Sequence, residues 1–536
     1  MIRNPILPGF NPDPSICQVG DDYYIATSTF EWYPGVQIHH SRDLVNWRLV
    51  KRPLERASQL DMRGDPDSCG IWAPCLSWSD GKFWLVYTDV KRYDGNFKDA
   101  HNYIVTAPSI EGPWSDPVYA NSSGFDPSLF HDDDGRKWFL NMYWNHRTQS
   151  IGGNPKHPAF AGILLQEFDP QAGKLVGPIR NVFSGSAHGL VEGPHLFKCN
   201  GWYYMTVAEG GTGYGHAVTM ARSRDIAGPY ELHPSTHLIT SKDAPDAALQ
   251  RAGHGQIVET PDGLVYHTHL CSRPLPGTRR SPLGRETAIQ KCVWKDDGWL
   301  YLEQGGVVPA VDVPAPDPTA KAAPPEPVKR RFDAKTLPEE FQWLRTPYPD
   351  RIFSLTGKAL RLHGRESIGS WFEQALVARR QEHWSFRAET KLDFAPETLQ
   401  QVAGLAHYYN RYKFHLLGVT WHEHHPRCLT ILSCPGDWPD GRMQFPLAEP
   451  VALPEKGQVE LAMQVDQAKL QFFWRSEGDW KPIGPVLDAS VISDEGGGRG
   501  EHGSFTGAFV AMIAFDIGGT ARPADYYHFD YLPGAA

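Results

Sequence analysis

The sequence predicts an all-β protein: a five-bladed β-propeller over residues 1–311, a Pro-rich connector over 312–328 and a two-sheet β-sandwich over 329–536. Three observations predict this. A turn-and-strand unit recurs five times in the first 300 residues. A proline-rich segment then interrupts it. Beyond that segment, alternating apolar and polar residues return without the repeat.

The repeat comes first. GDDYYIATSTF at 20–30, DGKFWLVYTDV at 80–90, DGRKWFLNMYW at 134–144, NGWYYMTVAEGG at 200–211 and DGLVYHTHLC at 262–271 each place a Gly-containing tight turn before an aromatic, β-branched run. That is the grammar of a hairpin entering a strand. The turns are about 55 to 65 residues apart, the size of a four-stranded propeller blade with its loops. A second echo follows three of the strands, as SRDLVNW at 41–47, SIEGPW at 109–114 and SRDIAGPY at 223–230.

Upstream of each turn lies a short segment, usually with Pro: NPDPSI at 11–16, WAPCLS at 72–77, FDPSLF at 125–130, VEGPHLF at 191–197 and GHGQIV at 253–258. Aligned on Pro14, Pro74, Pro127, Pro194 and Gly255, the preceding position is Asp13, Ala73, Asp126, Gly193 and His254, with Glu192 one residue earlier. The first strand of each propeller blade lines the central axis. Equivalent positions therefore converge, and three carboxyl groups and a histidine are expected at one mouth of the channel.

In the connector, DVPAPDPTAKAAPPEPV at 312–328 holds six Pro among small residues, which predicts an extended spacer and not a core element. KALRLHG at 358–364, FRAETKLDF at 386–394, VELAMQVDQAKLQFFW at 459–474 and GAFVAMIAFDIGG at 507–519 then alternate as strands with one buried face do.

Bulk properties narrow the function. The 536 residues are 41% hydrophobic and 12% aromatic, enough for two large cores, and 18 Trp and 21 Tyr offer platforms for sugar rings as well as strand residues. A net charge of −10 without a basic stripe argues against nucleic acid as a partner. No apolar run approaches the ~18 residues of a membrane span, so no membrane partner is expected. MIRNPILPGF shows no apolar leader, and eight Cys are scattered without CxxC spacing. Together these suggest a reduced, cytoplasmic protein.

Asp13, Asp126 and Glu192 suit acetal hydrolysis. That reaction needs one protonated carboxyl at the leaving oxygen and one ionised carboxylate on the other side. A third negative neighbour raises the pKa of the acid. Glu192 has the longer reach for proton delivery, and a shorter Asp suits a fixed base. Singly, the Asp-Pro pairs read as turns and Glu192 as a solvated loop acid. Their equivalent placement on three units favours the site.

The motifs NPDPSI, TSTFEWYPGVQIHHSRDL, GIWAPC, GFDPSLF, VEGPHLF and SPLGRETAIQ, in that order along the repeat, resemble glycoside hydrolase family 43. The C-terminal half also resembles the jelly-roll, lectin-like second domain of the family's β-xylosidases, so the resemblance covers nearly the whole chain. It implies that Asp13 is the general base, Glu192 the general acid and Asp126 the residue that orients and tunes the acid. Arg285 would bind substrate hydroxyls, and Phe30, Trp72 and His254 would line the pocket. Phe505, in GSFTGAF, would reach the propeller mouth from the second domain and close it. The alternative is that Phe505 belongs to the sandwich core.

The activity implied is that of an exo-acting, inverting β-xylosidase releasing xylose from the non-reducing end of xylooligosaccharides, with side α-L-arabinofuranosidase activity. The resemblance requires no cofactor and leaves calcium near His254 as an open possibility. It also implies a homo-oligomer, a dimer or a tetramer. Two features depart from the family pattern: Cys75 where an acidic residue is common, and the long polar stretch NHRTQSIGGNPKHPAF at 145–160. Both leave the leaving-group preference open.

Other readings compete. Within the family, α-L-arabinofuranosidase or arabinanase activity stays open. A retaining fructosidase of related fold would carry an NDPNG-like motif, from which NPDPS departs. A non-catalytic carbohydrate-binding propeller would have lost a carboxylate, and all three are present. GGTGYG at 210–215 opens no helix of a βαβ unit and is set aside as a nucleotide site. His407, His415, His422, His424 and His425 near Cys428 and Cys434 fit no standard zinc spacing, so no metal is expected there.

Overall fold

The computed structural model describes residues 1–152, 154–436, 442–496 and 504–534. Gly153 of the 145–160 stretch, Gly503 of GSFTGAF, and residues 437–441, 497–502 and 535–536 of the expected sandwich range lie outside the described residues. Among the described residues there is no α-helix, only two three-residue 3-10 turns at Pro349–Arg351 and Ala489–Val491.

The recurring unit folds as its turns predict. Residues 15–302 form five consecutive antiparallel sheets, over 15–51, 70–121, 128–183, 192–240 and 250–302. The second strand of each is the aromatic run: Asp22–Thr27, Lys82–Arg92, Lys137–Trp144, Trp202–Glu209 and Val265–Ser272. The glycine entering each run, at 20, 81, 135, 201 and 263, has a φ between 61° and 85°, the left-handed region that the tight turn requires. Neighbouring sheets touch in a ring. Ser15–Val19 packs on Gly70–Ser79, Ser128–His131 lies between Gly70–Ser79 and Glu192–Cys199, Ala217–Ser223 and Glu231–Thr240 pack on Gln250–Gly253, and Ile257–Glu259 returns to Ser15–Val19. Ser15 Oγ donates to Gln256 Oε1 at 2.6 Å across that last seam. The ring is a β-propeller.

The five aligned positions share one backbone state. Asp13, Ala73, Asp126, Gly193 and His254 have φ values of 56°, 37°, 55°, 57° and 42°. Four are non-glycine residues in a region that costs such residues ~1–2 kcal/mol each. Strand register slips beside three of them, between Trp72 and Cys75, Glu192 and His195, and Gln250 and Gly253. A bulge of this kind re-aims side chains, here toward the axis. In the fourth sheet a Cβ at Gly193 would lie 2.8 Å from His254 Nε2, so this position takes no side chain and the carboxyl sits one residue earlier, on Glu192.

The connector departs from expectation at its start. Asp312–Val313 pairs with Ile2–Arg3, and Val313 is fully buried with Ile2 and Ile16. Further along, Asn46 Nδ2 donates to Lys321 O at 3.1 Å, and Ala323 N donates to Asn46 Oδ1 at 2.9 Å. The segment is laid along the propeller, and its first residues are core.

The remaining strands build a β-sandwich of an eight-stranded and a six-stranded sheet. Ser385–Asp393 alternates as predicted, with Phe386, Ala388, Thr390 and Leu392 buried. Ala375–Arg380, Gln401–Asn410 and Phe509–Asp516 are instead buried throughout. Their sheet has the sandwich core on one face and the propeller on the other. Trp32 stacks on Phe509 at 3.6 Å and 14°, and Trp32–Tyr33 pairs with Trp343–Leu344. His407 bonds Gln381 Oε1, and His415 bonds Ser433 Oγ and Asp488 O. Among the described residues no three His, Cys, Asp or Glu are placed to hold a metal.

Candidate active site

Asp13 and Asp126 each end the approach to a first strand, Glu192 begins one, and His254 lies between Gln250–Gly253 and Ile257–Glu259. All are buried, as is Arg285 just before Glu286–Trp294. Arg285 Nη1 donates to Asp13 Oδ1 at 2.9 Å, and Ser28 Oγ donates to Asp13 Oδ2 at 2.6 Å. His254 Nδ1 is 3.5 Å from Asp13 Oδ1. Both oxygens of Asp13 are thus held.

These surroundings separate the acids. Burial works to raise the Asp13 pKa, but Arg285, His254 and Ser28 outweigh it and hold the carboxyl well below the usual range. Among the described residues Glu192 has no such hydrogen-bonded partner. Burial, and then the charge of Asp13, push it up, with Arg285 and Lys98 opposing. Asp126 is raised by burial, then by Glu192 and Asp13. Repulsion within the Asp126–Glu192 pair is mutual, so the pair as a unit retains a proton. His254 is raised despite its burial, because Asp13 and Asp126 favour its cation.

Asp13, Asp126, Glu192, Phe30, Trp72, His254, Arg285 and Phe505 all line one cavity of about 540 Å³. Its aromatic wall is continuous, with Trp72 5.8 Å from Phe30, 5.4 Å from Phe125 and 5.6 Å from Phe505 between ring centres. Phe505 comes from the sandwich. Its N–H donates to Ser68 Oγ at 3.1 Å, and its carbonyl accepts from Arg285 Nη2 at 2.9 Å. Its ring faces Phe30, Trp72 and Tyr93 of the propeller.

Sequence reasoning missed part of this wall. Gly210–Gly215, set aside as a nucleotide motif, forms one side of the cavity, and His157 and Phe160 come from the long polar stretch. Tyr93, Lys98 and Trp144 complete it. Trp144 closes the third repeat and was visible as an aromatic, but nothing in the sequence pattern aimed it inward. Protein oxygens for a calcium ion are few beside His254. That ion wants six to eight oxygens, whereas His254 faces the imidazole of His195, Gly193 and, through Asp13, the Arg285 cation.

A ring of blades that brings a proton-sharing pair of carboxyls and one ionised carboxylate into a single aromatic cavity defines an enzyme that hydrolyses glycosidic bonds. Comparison with known proteins then fixes the family. Residues 2–300 match the glycosyl hydrolases family 43, and residues 329–532 match the beta xylosidase C-terminal Concanavalin A-like domain. The chain belongs to glycosyl hydrolase family 43.

The chain is 61% identical to xylosidase/arabinosidase 43B of Humicola insolens, over 99% of this chain and 98% of that protein. It is 47% identical to a beta-xylosidase of Bacillus subtilis, over 99% of both. The crystal structure of a xylan beta-1,4-xylosidase from Bacillus halodurans superposes with a TM-score of 0.94 at 52% identity, covering 99% of this chain and 100% of that one.

Proposed function

We propose that the enzyme is an exo-acting, inverting β-xylosidase that releases xylose from the non-reducing end of xylooligosaccharides, with side activity on α-L-arabinofuranosides. The observation that carries this reading is the division of the three buried carboxyls, one ionised on Arg285 and two that share a retained proton, inside a single aromatic cavity. Asp13 is the base. Ser28 and Arg285 fix its oxygens, so it directs a water at the anomeric carbon; its low pKa keeps it charged and sets orientation above proton affinity. Glu192 delivers the proton to the leaving oxygen, and Asp126 shares and tunes that proton. Arg285 and His254 brace Asp13, while Phe30, Trp72 and Phe505 shape a pocket for one terminal pentose.

The five sheets closed in one ring support a five-bladed count over residues 1–311, with 312–328 as the connector. Strands of 329–536 pass repeatedly between the two sheets, as in a lectin-like jelly-roll. Eight cysteines present as thiols, seven of them buried, support a reducing, cytoplasmic setting.

Hydrolysis of nitrophenyl β-D-xyloside, whose leaving group is not a sugar, followed by proton NMR tests the reading. α-Xylose is the expected first product, and β-xylose appearing first would overturn inversion. A second reading, arabinofuranosidase as the main activity, is favoured by the double name of the Humicola relative. A kcat/KM on nitrophenyl α-L-arabinofuranoside above that on the β-xyloside would establish it.

A further inference from the structure

Three aromatic walls of the catalytic cavity are fastened to one short segment, residues 67–72. Phe30 and Ile71 exchange backbone hydrogen bonds at 2.9 and 3.1 Å. Trp72 Nε1 donates to Ser68 O at 3.0 Å, and the Phe505 N–H donates to Ser68 Oγ at 3.1 Å. The Ser68 N–H in turn donates to Glu31 Oε2 at 3.1 Å. Ser68 is fully buried and meets three different neighbours with its N–H, its carbonyl and its hydroxyl. The sandwich holds this segment from behind. Asp67 Oδ1 accepts from Arg345 Nη2 at 2.9 Å, and Asp67 Oδ2 accepts from Arg411 Nε at 3.0 Å. Arg345 also donates from Nε to Asp65 O at 2.7 Å and from its N–H to Glu31 O at 2.9 Å. Phe30, Ser68 and Arg345 have φ values of 50°, 63° and 60°. Left-handed backbone is costly for residues with a Cβ and persists where surrounding contacts over-determine it, as they do around functional sites.

We propose that Ser68 is a positioning residue of the pocket: its hydroxyl sets where Phe505 stands against Trp72, and so how closely the terminal sugar is gripped. This rests on the reading of Phe505 and Trp72 as walls of a pentose pocket. Their ring centres are 5.6 Å apart at 77°. Both rings are tied to the same residue, Trp72 through its carbonyl and Phe505 through its hydroxyl. A substitution at Ser68 leaves the carbonyl in place and removes the hydroxyl. The Phe505 carbonyl on Arg285 and the Thr506 N–H on Tyr409 Oη, both at 2.9 Å, keep the loop at the mouth. Losing the hydroxyl therefore displaces the Phe505 ring without releasing the loop.

Ser68→Ala and Ser68→Gly both remove the hydroxyl but differ in backbone, because glycine accepts a left-handed φ and alanine does not. Ser68→Gly should therefore melt higher than Ser68→Ala. Both should nevertheless lower kcat/KM on nitrophenyl β-D-xyloside by the same factor, roughly five- to tenfold, the scale of one hydrogen bond. A merely structural role would make the kinetic loss follow the melting temperature. A double-mutant cycle reads the coupling to Phe505. In a Phe505→Ala background there is no ring to place, so Ser68→Gly should lower kcat/KM by less than about twofold. Wild-type kinetics for Ser68→Gly, a loss confined to Ser68→Ala, or the full loss repeated in the Phe505→Ala background would each overturn the inference. A wild-type enzyme that prefers nitrophenyl α-L-arabinofuranoside would change only the choice of sugar, and the same cycle run on that substrate decides the role of Ser68 by the same outcomes.

Discussion

Asp13 and Glu192 are the same kind of group in the same cavity, and only their neighbours tell them apart. Asp13 carries the Arg285 pair and the Ser28 hydrogen bond; Glu192 meets burial and a like charge. Asp13→Ala should lower turnover on every substrate, on the order of 10²–10⁴-fold, because no other group holds the water. Glu192→Gln should lower xylobiose hydrolysis by a similar factor but spare β-xylosyl fluoride to within about tenfold, since fluoride leaves with little protonation. Equal losses on both substrates would take the acid role from Glu192. The same carboxyl leaves a mark on stability. Its folded pKa is raised above the ordinary 4.5, so the folded state keeps a proton that the unfolded chain releases. Stability should therefore fall as pH rises through the window above 4.5. Glu192→Gln removes that penalty. Its melting temperature should equal that of wild type near pH 4 and exceed it increasingly toward neutrality; a gap independent of pH would mean that Glu192 is not held protonated.

At the scale of strands and turns, the repeat was legible because each blade enters its second strand through an obligatory left-handed glycine. The convergence of Asp13, Asp126 and His254 was legible from the same alignment, and their shared left-handed backbone explains why one sequence position serves in every blade. What could not be read were the loops between strands. Gly210–Gly215 and the 145–160 stretch follow no period, so nothing in the sequence placed them on the cavity, although both line it. Glycines at the two kinds of position should respond differently to alanine. Gly81 has open space around its missing Cβ, so Gly81→Ala should cost only the left-handed strain, ~1–2 kcal/mol in a denaturant titration, with normal kcat/KM. Gly193→Ala carries the same strain and also places a Cβ 2.8 Å from His254 Nε2. His254 must shift, and Asp13 loses a neighbour, so activity should drop at least about tenfold in protein that remains folded. Normal kinetics for Gly193→Ala would show that His254 does not position Asp13.

Across the whole molecule, the two halves are one piece. A single apolar cluster runs from Tyr33, Leu60 and Ile71 of the propeller to Phe341, Val377 and Leu405 of the sandwich side. Arg251, fully buried, reaches Asp494 at 3.0 Å and Glu495 at 2.9 Å across the seam, and its Nε donates to Thr212 O in the cavity wall. Phe10, 6.0 Å from Phe509, and Trp32 lie on this seam, and no sequence pattern marks either as facing a second domain. Calorimetry should show one cooperative transition; two resolved transitions would mean that the seam contributes little. The seam also delivers Phe505, and here the structure separates the two roles open to that residue. A core residue of the sandwich would pack among sandwich strands. Phe505 instead faces Phe30, Trp72 and Tyr93, and its backbone is tied to Ser68 and Arg285. Those ties involve only its N–H and carbonyl, so Phe505→Ala keeps them and removes only the ring. The loop should stay in place while the cavity opens to water beside the acids. Expected are a melting temperature within about 2 °C of wild type, as for a partly exposed side chain in a large protein, and a fall in kcat/KM on xylobiose of about tenfold or more. A melting temperature several degrees lower, with normal kinetics in the folded fraction, would make Phe505 a structural residue and leave the pocket closed by the propeller alone.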